Sequence, residues 1–371
     1  MEGIRSASDL QLQIIATGMH LSPDFGMTVS EIEADGFYID QRVEILLSSD
    51  TPVGVSKSMG LGMIGFADAY ARLKPDVVVV LGDRFEIFAA ASSALVAQIP
   101  MAHLHGGETT EGAFDEAMRH SITKMSHLHF VAADAYRKRV IQLGEDPERV
   151  FTVGGLGVDG LSKVKLLERS ELEADLNFKF GLRNLLVTFH PVTLEPGTAG
   201  RQMQELLLAL DNLEDTHIIF TMPNSDPDSR VLFNMVASYV KDRLHTKVFT
   251  SLGQLRYLSV LAQVDAVVGN SSSGLTEAPS FKKGTVNIGD RQRGRLRALS
   301  VIDCEPSCAS IGQALKRLYS SSFQMQLPDV ISPYGNAGAS ERIVQTLRAH
   351  DLQGLLKKNF YDLPDFLHGE A

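Results

Sequence analysis

DVVVVLG, residues 76–82, is an unbroken run of β-branched residues closed by leucine and glycine. A strand with no polar alternation is buried on both faces, which requires a parallel sheet covered by helices on each side. LQLQIIATG, VEILL, MAHLH, LHFVAA and RVFTVG repeat the signal, with helix-patterned stretches such as FADAYARLK and DAYRKRVIQLG between them. That alternation predicts an α/β chain of βαβ units. The rhythm lapses within residues 160–184, in KVKLLERSELEADLNFKFG, and restarts with LLVTFHP, THIIFTMP, KVFTS, DAVVGN and TVNIG. Two doubly wound domains are expected, over residues 1–165 and 166–345, with a helical tail at 346–371 free to pack back on the first. The carboxyl ends of both sheets then face a shared cleft, where ligands of such folds bind. A doubly wound domain usually opens with its central strand and a phosphate-facing loop, yet this chain opens on a polar decapeptide before LQLQIIATG. A first strand is expected to be missing.

Composition narrows the partners. With 371 residues and 44% hydrophobic content, the chain can bury two cores. Its formal net charge of −10 argues against a nucleic acid or an anionic membrane surface, since either needs a basic footprint. MEGIRSASDLQ has no apolar signal region, and no window approaches the ~20 apolar residues of a membrane span, so a cytoplasmic location is expected. Cys304 and Cys308 resemble half a metal knuckle, but no second Cys/His pair completes it and no disulfide framework is possible. Neither metal nor cofactor is expected.

The chemistry gathers where strands end. HLHGGETTEGAFDEAMRH, residues 103–120, crowds eight titratable side chains behind the apolar run SSALVAQIPMA. His103 and His105 alternate along a strand, Gly106 and Gly107 admit a ligand to the backbone, and Asp115 or Glu116 starts a helix. Pairing of Asp115 with Arg119 and of Glu116 with His120 at helical spacing accounts for part of the cluster without any function. Carboxylates with imidazoles in a cleft otherwise suit proton transfer at a carbon or a leaving oxygen, which puts Asp83, His105, Glu108, Asp115 and His190 forward as catalytic candidates. In LGDRFEIF, Asp83 either caps the next helix or, with Arg84, meets a ligand. FHPVT and MPNSD place His190 and Asn224 at successive strand ends of the second half. In GNSSSGLTEAPS, the small residues Ser271, Ser272 and Gly274 expose backbone N–H groups at a strand-to-helix turn, an anion site or a plain N-cap. Glu277 follows, positioned either for a ribose or for solvent. NIGDRQRGRLR carries Arg291, Arg293, Arg295 and Arg297, which form either a diphosphate wall or a solvated basic loop.

Together GDRFEIF, HLHGGE with DEAMRHSITKMSHLH, RKRVIQLGE, FHPVT, GNSSSGLTEAPS and NIGDRQRGR resemble the hydrolysing UDP-N-acetylglucosamine 2-epimerases of bacterial sialic acid biosynthesis, over roughly residues 14–345. The resemblance implies a GT-B fold of two Rossmann-like domains, a UDP-sugar in the cleft, and release of UDP and N-acetylmannosamine. Its reaction is anti elimination of UDP through a 2-acetamidoglucal, followed by hydration with inversion at C2. By the same resemblance Ser271, Ser272 and Glu277 hold diphosphate and ribose, and Arg291, His190 and Asn224 surround the UDP. Arg84 and His20 of TGMHL reach the phosphate and sugar side, Asp83 and Asp115 match family carboxylates implicated in catalysis, and the chain forms a dimer or tetramer. Two departures stand out. HLHGGE has His105 where some members read HIEGGE, so that the duty of the glutamate passes to His105 or Glu108. The family's opening strand and its Gly-Ser/Thr-Arg-Ala loop have no counterpart. Other readings are the same reaction on a UDP-2,4-diacetamido-trideoxyhexose, a non-hydrolysing epimerisation, and a UDP-sugar binding protein without catalysis.

Overall fold

The computed structural model describes residues 1–47, 49, 51–161 and 164–364. In the first domain the strands are β1 (Ile15–Thr17), β2 (Gln41–Val43), β3 (Val78–Leu81), β4 (Met101–Leu104), β5 (Leu128–Val131) and β6 (Val150–Thr152). The second domain holds β7 (Arg183–Thr188), β8 (Thr216–Thr221), β9 (Thr246–Phe249), β10 (Ala266–Gly269), β11 (Gly284–Ile288) and β12 (Val301–Cys304). Every strand pair is parallel. Five further elements position the site: α1 (Pro52–Leu73), α2 (Phe85–Val96), α3 (Asp115–Met125), the short α4 (Ser273–Thr276) and α5 (Ala339–Ala349).

The second sheet runs in the order β12-β11-β10-β7-β8-β9. Sequence proceeds outward from β7 to β9 and from β10 to β12, so the strand order reverses between β7 and β10. The crevice at their carboxyl ends is where a doubly wound sheet binds its ligand. Leu185, Val187, Phe220, Val268 and Val286 fill one face of this sheet and Leu186, Ile219 and Val267 the other, as the unbroken apolar runs require.

The first domain is divided. β3-β4-β5-β6 form one sheet and β1-β2 another, with no ladder between β1 and β3. Among the described residues the point of reversal therefore falls on a gap. Its consequence is local exposure, for Val79 and Leu81 of β3 are 38% and 52% exposed. The two pieces are held by α1 on α2, which pack tightly because small residues meet: a Cβ on Gly62 would lie 3.1 Å from that of Ala89. α1 is well started, with Pro52 in its first turn and Thr51 Oγ1 accepting from the Gly54 N–H at 3.1 Å.

From α5 to Lys358 the chain lies on the first domain, where Ile343, Leu347 and Leu355 pack with Leu104, Leu128 and Phe130. Lys358 completes the contact by donating to the carbonyls of Lys124 and Ser126 and to buried Glu145. Cys304 and Cys308 are free thiols. Among the described residues no helix is long and apolar enough to cross a membrane.

Candidate active site

Strand ends from both domains meet in the cleft, and their charges pair across it. After β3, Gly82 turns the chain at φ +79 and Arg84 precedes α2 as its N-cap residue. The Arg84 guanidinium crosses to the second domain, where it binds Asp226 and donates to Ser225 Oγ at 3.1 Å. Burial pushes the Asp226 carboxyl up, but Arg84, with Arg291 and His190, outweighs that and holds it below the ordinary aspartate range. Asp83 does not cap α2. It pairs with Arg119, whose guanidinium is only 2% exposed and also reaches Glu116 at 3.1 Å and Thr110 Oγ1 at 2.8 Å. Helical spacing suggested Asp115 as the partner of Arg119; the guanidinium instead extends away from it, toward β3.

That choice leaves Asp115 without a side-chain hydrogen bond among the described residues. It is the first residue of α3, buried, and its side chain caps nothing. Burial drives its carboxyl up, Arg84 and Arg291 pull it back, Asp83 and Asp226 repel it, and the balance lies at about 7. A carboxyl ionising near neutrality can both accept and return a proton.

His105 and Glu108 have a different use. His105 sits at φ +63, a strained position for a residue with a Cβ. Its Nε2 accepts from the Leu156 N–H at 3.2 Å, so the ring proton is on Nδ1, which donates to Glu108 Oε1 at 2.7 Å. Glu108 also pairs with Arg295 of the second domain at 3.2 Å. Burial would raise its carboxyl, yet Arg295 first and then His105 hold it down at about 2. Both ring nitrogens of His105 are engaged within the first domain, and Glu108 links it to the second through Arg295.

At the β7–β10 reversal, Asn270 accepts from the His190 N–H at 2.6 Å and returns a bond to its carbonyl at 2.8 Å. The ring Nδ1 of His190 accepts from the Asn224 N–H at 3.3 Å, which leaves Nε2–H as a donor. Burial, with Arg291 adding repulsion, lowers this imidazole to about 3, so it is neutral at physiological pH. Asn224 thus contributes its backbone. Arg291 donates to the Asn270 carbonyl at 3.1 Å, and Arg295 joins it in the cleft, while Arg293 and Arg297 pair with Asp290 and Asp303 nearer the surface.

His20 is exposed and bonded to Thr28 at 2.8 Å; its neighbour Met19 makes the cross-domain contact, its Sδ accepting from the Ser225 N–H. α4 has only four residues and lends little dipole, so positive charge in the cleft comes from arginines rather than a helix terminus. Gly274 faces the sheet, where a Cβ would lie 2.6 Å from Thr285, and its N–H is taken by the Ser271 carbonyl at 3.3 Å. Ser272 keeps its hydroxyl unengaged, whereas Ser271 Oγ accepts weakly from Ser273. Glu277 is half-buried against Gly157 of the first domain, bonded to Thr276 and raised by burial. Asp226 and Asn270 carry no local signal in the sequence because their partners lie in other elements, and the same holds for the roles of Arg119 and Arg295.

Several buried polar atoms around this cluster have no hydrogen-bond partner among the described residues: Asp226 Oδ2, Arg291 Nε, Gln292 Oε1, and Arg84 Nε with Glu86 Oε2, which face each other only as an ion pair at 3.8 Å. Unpaired buried groups are costly in a protein and mark a place built for a ligand. Beside them lies a cavity of about 360 Å³, with Phe25, Leu46 and Phe85 as apolar walls and Asp24, Arg230, Asn234 and the hydroxyls of Ser22, Ser58 and Ser225 as polar lining. Among the described residues no group of three or more His, Cys, Asp or Glu is arranged to hold a metal ion.

Comparison with known proteins accords with this layout. The chain is 43% identical to the GDP/UDP-N,N'-diacetylbacillosamine 2-epimerase (hydrolyzing) of Campylobacter jejuni, over 97% of its length and 94% of that protein's. It is 35% identical to the UDP-N,N'-diacetylbacillosamine 2-epimerase (hydrolyzing) of Legionella pneumophila, covering 97% and 94%, and 36% identical to a polysialic acid biosynthesis protein of Escherichia coli, covering 98% and 93%. Its fold matches a UDP-GlcNAc 2-epimerase from Neisseria meningitidis solved with UDP-GlcNAc, at a TM-score of 0.78, 17% identity and 94% of each chain. The MnaA–UDP structure from S. aureus gives a TM-score of 0.78 at 18% identity, covering 94% of this chain and 91% of that one. The architecture is accordingly GT-B, two Rossmann-like domains facing a cleft. The family model described as UDP-N-acetylglucosamine 2-epimerase matches residues 2–348, and the chain belongs to that family.

Proposed function

We propose that the protein is a hydrolysing 2-epimerase that converts a nucleoside-diphosphate 2,4-diacetamido-2,4,6-trideoxyhexose and water into the free C2-inverted sugar and the nucleoside diphosphate. The observation that carries the reading is the cleft cluster, in which Arg84 and Arg291, each with a buried Nε–H that makes no hydrogen bond, act on a buried carboxyl, Asp115, balanced near neutrality. Arg84 and Arg291 supply positive charge for the departing diphosphate, and the neutral His190 donates Nε2–H to one of its oxygens. Asp115 takes the C2 proton as the anomeric C–O bond breaks, which forms the 1,2-unsaturated sugar. Water then adds at C1 while a proton reaches C2 on the opposite face. Arg119 orients Asp83 beside this centre. No cofactor is required by the chemistry.

The substrate departs from the sialic acid assignment implied by the sequence. Relatives at 43% and 35% identity carry diacetylbacillosamine in their names. The cavity beside Arg84 mixes apolar walls with Asp24, Arg230, Asn234 and several hydroxyls, so that it has room and polar partners for a second acetamido group as well as apolar surface for a 6-methyl. A second reading keeps UDP-N-acetylglucosamine as substrate and N-acetylmannosamine as product, supported by the relative of polysialic acid biosynthesis at 36% identity. Proton NMR in deuterated water, with each UDP-sugar in turn and with the GDP form of the first, separates them. The expected result is a free 2-epimer carrying deuterium at C2 from the diacetamido sugar. Faster turnover of UDP-N-acetylglucosamine would establish the second reading, a returned UDP-sugar would mean non-hydrolysing epimerisation, and no change in any sample would leave a binding protein.

A further inference from the structure

One polar residue stands where the packing of α1 calls for an apolar one. The helix turns Val55, Gly62, Phe66 and Ala69 inward at the spacing of a buried stripe, and Ser58 falls on that same stripe. Ser58 is only 2% exposed, yet among the described residues its hydroxyl has no hydrogen-bond partner. A serine inside a helix can return its O–H to the carbonyl four residues back, as Ser56 does to Pro52 at 2.9 Å. Ser58 makes no such bond to Gly54 and lines the cavity of about 360 Å³ instead. A hydroxyl kept inside an apolar stripe costs stability unless something hydrogen-bonds it, and here only an occupant of the cavity can.

We propose that Ser58 selects the substrate, its hydroxyl donating to the carbonyl oxygen of an acetamido group that is carried at C4 of the sugar and seated in this cavity. That role presupposes the 2-epimerisation proposed above. The diphosphate leaves from C1 and the proton from C2, beside Arg84, Arg291 and Asp115; C4 lies across the ring from C1, so its substituent points out of the charged cluster. The cavity adjoins the cluster through Phe85, which follows Arg84 in the chain, and Ser225, which accepts from Arg84 at 3.1 Å. Its volume lies at the lower end of the ~300–1,000 Å³ of ligand pockets, in keeping with one end of a sugar. The lining matches an acetamido group atom for atom: the Ser58 hydroxyl meets the carbonyl, Val55, Leu46 and Phe85 meet the methyl, and the side-chain carbonyl of exposed Asn234 meets the N–H. A C4 hydroxyl is shorter and brings no methyl, so it leaves the apolar wall uncovered and Ser58 unmet. Phe25 and Phe233, one from each domain, stand edge to face with ring centres 6.1 Å apart on the same wall, so the pocket is complete only when the domains are together.

Ser58→Val and Ser58→Thr share one shape and differ in the hydroxyl, so steady-state kinetics with the UDP-2,4-diacetamido-trideoxyhexose, paired with calorimetry of UDP binding, isolate its part. Ser58→Val is expected to lower kcat/KM for that sugar about tenfold, with the loss in KM because the group it holds is remote from the reacting atoms. Ser58→Thr is expected to stay within about threefold of wild type. Ser58→Ala, which adds no bulk, is expected to follow Ser58→Val and decides the matter even if Ser58→Val folds poorly. UDP has no sugar to place in the cavity, so its affinity is expected to be the same in all four proteins, whereas a disturbed fold would weaken it as well. A wild type that does not turn over the diacetamido sugar would overturn the reaction proposed above, and this role with it. A wild type that does, alongside equal kcat/KM for Ser58→Val and Ser58→Thr, would overturn the role of Ser58 alone, as would a loss in Ser58→Val matched by an equal loss of UDP affinity.

Discussion

Asp115→Asn is expected to remove turnover and at the same time to stabilise the protein. The two effects share one cause. Burial, reinforced by repulsion from Asp83 and Asp226 and partly offset by Arg84 and Arg291, moves the carboxyl from its usual 3.8 to about 7. A raised acid is the reverse of the usual salt-bridged carboxylate: between those values the folded state holds a proton that the unfolded chain has released, so stability falls as pH rises and levels off above about 7. At about 1.4 kcal/mol per pKa unit, the loss is at most about 4 kcal/mol, and sharing of charge among the cleft residues makes about 2 kcal/mol the working figure. Asn is nearly isosteric and cannot ionise, so it escapes that cost. Urea denaturation at pH 5 and pH 8 should show the gap in favour of the Asn variant widening by about 1–2 kcal/mol at the higher pH. Wild-type kcat/KM should rise through an apparent pKa near 7, and the variant should lose about 10²–10⁴ in rate while binding UDP normally. A gap independent of pH, or a variant that turns over normally, would refute the assignment of proton transfer to Asp115.

Three further outcomes follow from the same geometry. Arg291→Ala removes a cleft guanidinium with an unpaired Nε and is expected to weaken UDP binding by about 1.5–3 kcal/mol, roughly ten- to a hundredfold by calorimetry; Ser272→Ala, which loses one unengaged hydroxyl, should lie at the low end. Arg295→Ala strands buried Glu108 and should cost about 3–5 kcal/mol in chemical denaturation. Because the Glu108 carboxyl is held down at about 2, the stability it contributes is present above its ordinary range and fades as acid approaches that value; a variant that melts like wild type at pH 7 would dismiss the clamp. On β3, alternate amides point toward β4 and away from it, so Val79 and Leu81 should exchange hydrogen at least roughly tenfold faster than Val80, and equal protection would mean that the gap beside β1 is bridged.

The sequence by itself settled the parallel α/β class, the order of the strands and the addresses of the chemistry, because unbroken Val/Ile runs and glycine turns are local signals. It did not settle side-chain direction. Spacing offered Asp115 to Arg119, but the tertiary structure turns the guanidinium to Asp83, 36 residues upstream, and thereby leaves Asp115 buried and unpaired. Four alternating arginines looked alike until packing sent Arg291 and Arg295 inward and left Arg293 and Arg297 with surface partners. His20 lay in a motif that pointed to the ligand, yet it faces water, and His105 looked like a base although both its nitrogens are occupied. The reason is common to all of these. A residue's type fixes which charge it can carry, whereas burial and partners brought from distant strand ends decide whether it carries that charge, and toward what.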